Sequence, residues 1–188
     1  KMANTKTVKS LNKYTVQEAT NHIAQKAVIR VIPTLETVEY VGGDVLFNSV
    51  AIPNAVLSKG GCSKLVAAFV QCQNTTNLEF EIIFTENAAT FGTVNATANI
   101  SNADLRTAAF LGYMACESAD ETTNFIDNCE MKRIYDSRSD AAVNTPNADP
   151  ILLQAASDST SVYFAVLGGT TITYAGANDL QFIFHIEY

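Results

Sequence analysis

The sequence predicts an all-β fold: an antiparallel β-sandwich, jelly-roll-like, with a short N-terminal arm and helix. Three observations predict it. Apolar and polar residues alternate with period two in several short runs. Clusters of Gly, Pro, Asn, Asp and Ser separate those runs, and helical spacing is confined to the start of the chain. With 188 residues the chain is long enough for one ordinary domain with a single core.

In chain order, residues 1–13 read as an unstructured arm. Thr15 followed by Glu18 forms a capping-box pattern, and Val16, Ala19, Ile23 and Ala27 then fall near helical spacing, which predicts one short amphipathic helix. The chain turns to strands at Val28, so the expected division is a basic arm over 1–27 and a sandwich over 28–188. VIRVI precedes Pro33, which closes that strand or marks it as an edge. VEYV, Gly42-Gly43-Asp44 and VLF read as a hairpin with a Gly-rich turn. KLVAAFVQC is an apolar run of strand length. LEFEIIFTE places Leu78, Phe80, Ile82 and Phe84 on one face and Glu79 and Glu81 on the other. A single helical turn is expected from Ser101 through Arg106. SVYFAVLGG and LQFIFHIEY supply the last strands, with Leu180, Phe182, Phe184, Ile186 and Tyr188 sharing a face. That final run predicts a terminus tied into a sheet. Polar, turn-rich stretches lie at 58–63, 85–104, 117–128 and 137–150; the longest, of roughly 14–20 residues, exceed what packing alone requires and are expected to be binding surfaces or disordered.

Charge narrows the partners. The chain carries −7, yet six of its twelve Lys and Arg and one of its nineteen acids lie in residues 1–30. A basic arm on an acidic body is expected to dock on an acidic surface or touch nucleic acid. A body this acidic is not expected to bind nucleic acid itself, because phosphate contacts need a basic face. The arm contacts would fall to Lys6, Lys9, Leu11, Lys13, Tyr14, Val16 and Ile23, which combine charge with apolar side chains. No stretch approaches the roughly 18 apolar residues of a membrane span, so no membrane is expected as a partner. KMANTKTVKSLNKYTV has no apolar run of the kind a signal peptide needs.

A search for chemistry finds none to assign. His22 lies in the basic segment, and His185 lies opposite the aromatic face of its strand. HExxH, GxSxG, GxGxxG and Walker patterns are absent from the sequence. Gly168-Gly169 fits a turn or bulge rather than a phosphate cradle. Asp120, Glu121, Asp127 and Glu130 cluster but lack the spacing of an EF-hand loop. Cys62, Cys72, Cys116 and Cys129 form no CxxC pair, which supports no zinc site; a Cys116–Cys129 bridge stays open. Tyr113, Tyr135 and Tyr174 are the candidates for a sugar platform. The expectation is a protein that is not an enzyme and needs no catalytic residue, metal or cofactor.

The order IPTLET…Y…GDVLF…IPNAV followed by Gly-Gly and an apolar strand resembles a group of short virion structural proteins of tailed bacteriophages. The matching residues are Ile32-Pro33-Thr34-Leu35, Gly43-Asp44-Val45, Ile52-Pro53-Asn54-Ala55, Gly60-Gly61, Leu111-Gly112-Tyr113, Thr171-Ile172-Thr173-Tyr174 and Asp179-Leu180-Gln181-Phe182. The likeness spans residues 28–188 and departs in the arm and in the Cys-bearing stretch 116–138. It implies a virion subunit made in the host cytoplasm, a capsid decoration or cement protein contacting the major capsid protein or other virion subunits, and a homo-oligomer. A tail or head–tail connector component, or a receptor- or carbohydrate-binding module, is the alternative.

Overall fold

The clearest alternation in the sequence builds the middle of a sheet. In the computed structural model, which describes residues 25–73, 78–117, 122–126, 129–134 and 150–188 (of 122–126, 129 and 130 the backbone alone), strand β12 spans Leu180–Glu187. Leu180, Phe182, Phe184 and Ile186 are buried, and the residues between them are half-buried on the opposite face.

β12 lies between two antiparallel partners, β1 (Lys26–Val31) and β4 (Cys62–Cys72). β1 starts at Lys26, ahead of the expected Val28, because the backbone ladder continues to the Lys26–Glu187 pair whatever the side chains do. It ends before Pro33 and forms the sheet edge, as a proline exit requires. The far side of β4 is shared by two strands. β9 (Ile151–Gln154) pairs with its first residues and β8 (Cys129–Ile134) with its last, while β7 (Thr122–Ile126) pairs with β8.

The second sheet runs in the order β3 (Val45–Ile52), β10 (Val162–Gly168), β5 (Phe80–Thr85) and β6 (Phe110–Cys116), all antiparallel. A two-stranded ribbon, β2 (Glu39–Tyr40) with β11 (Ile172–Thr173), stands beside it. Reduced to eight strands, the orders β1-β12-β4-β9 and β3-β10-β5-β6 describe two sheets that the chain visits alternately except at the β5–β6 step, which stays within the second sheet. That is the double Greek key of a jelly roll.

The sheets meet through phenylalanine. Phe164 of β10 contacts Phe182 and Phe184 of β12 with ring centroids 5.1 and 5.0 Å apart, and Phe47 of β3 packs on Phe164 at 5.4 Å, all edge to face. Each such pair contributes about 0.5–1.5 kcal/mol beyond the area it buries. The inward set expected for β5 is buried in full: Leu78, Phe80, Ile82 and Phe84.

Two expectations need correction. Gly42-Gly43-Asp44 does turn the chain: Gly43 sits at φ +90°, and Asp44 Oδ2 accepts a hydrogen bond from Val41 N at 2.9 Å. The strands on either side do not pair with each other, however; β2 joins β11 and β3 joins β10, so the turn is a corner rather than a hairpin. The stretch 85–104 is likewise not a loop beyond what packing requires. It folds over the outer face of the second sheet, where buried Phe91 packs with Val45 and Ala165. Within it, helix α1 (Asn102–Ala108) begins as expected at Ser101, whose Oγ accepts from Asp104 N at 3.1 Å, and buries Ala108.

Candidate contact surfaces and the polar interior

The two outer faces of the sandwich differ. Residues 86–109 cover that of the second sheet with a small core of their own, in which Ile83 and Leu167 join Phe91. The first sheet has no such cover among the described residues. Side chains that alternate with the buried set point outward there in rows fixed by strand register. One row runs Arg30, Ile183, Phe69, Arg133 and another Lys26, Glu187, Lys64, Leu152. Val28 and His185 form a pair between them, and the Phe69 and His185 rings lie 5.1 Å apart. Val28, Val66 and Leu152 are 49 %, 51 % and 57 % exposed. Sequence alternation treats this face as a solvated one. The signal that could have found it is the apolar residue at outward positions: Ile183 in LQFIFHIEY, Val66 and Phe69 in KLVAAFVQC.

The interior holds a polar end that the sequence does not announce. Lys132 of β8 pairs with buried Val70 and therefore faces inward, fully buried. Its Nζ donates to Leu78 O at 3.2 Å and Glu117 O at 3.0 Å, which compensates part of the cost of burying a cation. The Cys116 thiol donates to the same Leu78 oxygen at 3.6 Å. Tyr40 and Tyr174 pack edge to face with centroids 6.0 Å apart. Tyr40 accepts from Glu36 N at 2.7 Å and donates to Leu46 O at 3.3 Å. Burial raises its phenol pKa; the bond from Glu36 N opposes that shift. The Tyr174 hydroxyl is buried and has no hydrogen-bond partner among the described residues. Burial pushes this phenol far above the ordinary tyrosine range, and Cys72, Tyr40, Cys116 and Asp179 add in the same direction.

The other candidates fall as follows. Lys6, Lys9, Leu11, Lys13, Tyr14, Val16 and Ile23 lie outside the described residues, as do the Thr15–Glu18 capping box, His22, Tyr135, Asp120, Glu121 and Asp127, and the side chains of Cys129 and Glu130. His185 lies on the outer face against Phe69. Cys62 is exposed, and Cys72 and Cys116 are buried. Tyr113 is exposed on β6, whereas Tyr174 is in the core, so these two do not form one platform. Gly168 ends β10 and bonds to the corner turn, accepting from Gly43 N at 2.7 Å. Among the described residues no three His, Cys, Asp or Glu side chains come together as a metal set, and no helix is long and apolar enough to cross a membrane.

No protein-family model matches the chain, and no curated protein matches it.

Proposed function

We propose that the protein is a non-enzymatic virion structural subunit of a tailed bacteriophage, a capsid decoration protein seated on the lattice of the major capsid protein. The observation that carries this reading is the strand order β1-β12-β4-β9 over β3-β10-β5-β6. The jelly roll recurs in viral capsid domains, lectins and cupins, and the fold alone does not choose among them.

The turn motifs that resemble phage structural proteins fall at the corners of the sandwich. Ile32-Pro33-Thr34-Leu35 follows β1, Ile52-Pro53-Asn54-Ala55 closes β3 with Asn54 at φ +53°, Gly60-Gly61 leads into β4, and Asp179 opens β12. Corners set how the two sheets close on each other, so matching corners support a shared architecture. The subunit would be made in the host cytoplasm and reside in the virion, with the basic arm engaging acidic protein surfaces of neighbours.

Electron microscopy of purified particles tests this. The expected result is density for the jelly roll in many copies on the shell. Its presence only in the tail would move the protein to another part of the particle, and its absence from purified particles would end the proposal.

A further inference from the structure

The outer face of the first sheet, which no described residue covers, joins an apolar centre to a cationic margin. Val28, Val66, Phe69 and Ile183 occupy the centre, and Lys26, Arg30 and Lys64 flank it against one acid, Glu187. On a chain of net charge −7 this is a reversal of sign: Glu187 is the only one of the eleven acids with described side chains to stand here, while four of the seven described Lys and Arg do, Arg133 included. An exposed apolar patch rimmed by charge marks a contact site.

The opposite character occurs on β6, the edge strand of the second sheet. Phe110 and Tyr113 are 48 % and 46 % exposed. Glu81 lies on Tyr113's face of the sheet, since Ile83 pairs with Tyr113 and Glu81 with Ala115. Glu86 follows at the strand end, its backbone N bonded to Ala109 O at 3.0 Å.

We infer that the outer face of the first sheet is the docking site for a second copy of this chain, which seats its β6 edge, with Phe110, Tyr113, Glu81 and Glu86, on Val28, Phe69 and Ile183 between Lys26, Arg30 and Lys64. The contact is heterologous, one surface of a copy meeting a different surface of the next. A two-fold contact of the face with itself would oppose cation to cation. The chain's own residues 1–24 would do the same, because they bring Lys6, Lys9 and Lys13 to a margin that is already basic. The β6 edge supplies both the apolar side chains and the acids the face lacks. This inference is independent of any role in a virion: an oligomer built this way can exist in a protein that decorates nothing.

The test is sedimentation velocity of the full chain over about 1–200 µM at low salt, a range that populates contacts of modest affinity. The wild type should self-associate with concentration. Arg30→Glu with Lys64→Glu, and separately Glu81→Lys with Glu86→Lys, should each weaken association about tenfold or more, the scale of like charges replacing opposite ones. Arg30, Lys64 and Glu81 are exposed and Glu86 is half-buried, and circular dichroism should show both variants folded. Mixing the two variants should restore association, since each then meets its complement. A monomeric wild type, variants that associate like wild type, or a mixture no stronger than its components each overturn the inference.

Discussion

Phe182 of β12 and Phe164 of β10 meet edge to face across the sandwich, ring centroids 5.1 Å apart and planes inclined at 62°. Phe182 also contacts Phe47 and Phe80 of the second sheet, at 5.8 and 5.7 Å. One side chain from the first sheet thus touches three strands of the other.

Truncating it should be costly. Phe182→Ala removes a fully buried ring with neighbours on three strands, and is expected to cost about 3–5 kcal/mol. Phe182→Leu, which keeps most of the volume, should cost less than half as much. Urea denaturation monitored by circular dichroism measures both; a loss under about 1 kcal/mol for the alanine variant would mean that the site collapses without penalty.

Lys132 is the reverse case, a cationic side chain at a fully buried position. Its ammonium satisfies the carbonyls of Leu78 and Glu117 at a place where both strands leave the sheet. Lys132→Met preserves the stem and strands those acceptors, which should destabilise by about 1–3 kcal/mol. Lys132→Ala adds a cavity and should be worse. If the methionine variant proves as stable as wild type, the two hydrogen bonds contribute nothing net.

Tyr174 makes an alkaline prediction. Its phenol is raised by burial, so the unfolded chain releases this proton first as pH climbs past the ordinary value near 10. Above that point the folded state holds more protons than the unfolded one, and stability falls with rising pH; below it this group contributes no pH dependence. Each such group costs up to about 1.4 kcal/mol per pH unit. Tyr174→Phe should make that decline shallower by one proton's share, leaving Tyr40 and Tyr188, whose phenols are also raised, to supply the rest. At neutral pH the variant loses only an unbonded hydroxyl and should be unchanged or up to about 1 kcal/mol more stable. Denaturant midpoints at pH 8 and above pH 10 decide it; identical slopes in the two proteins would contradict the assignment.

How far the sequence carried depends on whether a feature is local. The inward sets of β5 and β12 were legible because alternation is a property of consecutive residues. Helix α1 was legible for the same reason, since Ser101 and Asp104 are three residues apart. Pairing was not. Gly42-Gly43-Asp44 has the chemistry of a tight turn, but whether its flanks join each other is settled by Gly168 and Tyr40's partner Ile172, more than 120 residues away. Inward Lys132 was hidden because the alternation in CEMK places it at a polar position; only its register against Val70 reveals it. The long stretch 85–104 looked surplus because its apolar residues are scattered singly. Phe91 and Ile100 become part of a core only once a sheet is there to be covered.

The arm yields the last prediction. Residues 1–30 hold six cations and one acid, and the rest of the chain six cations and eighteen acids. Exposed ion pairs contribute roughly 0–1 kcal/mol each. Ordering the segment costs about 1 kcal/mol or more per residue, which charge alone does not offset. Attachment through the arm must therefore add apolar contacts from Leu11, Tyr14, Val16 and Ile23 to the charge of Lys6, Lys9 and Lys13. Deleting residues 1–13 removes three of those cations and Leu11 but no part of β1 or of the core described above. The sandwich should keep its melting temperature, while attachment to particles or to the oligomer weakens. Because salt screens the ionic part, the advantage of the full chain should narrow as ionic strength rises and persist in part through the apolar contacts. Binding measured for both proteins across a salt series checks this. Equal attachment at every salt concentration would show that residues 1–13 make no contact that matters.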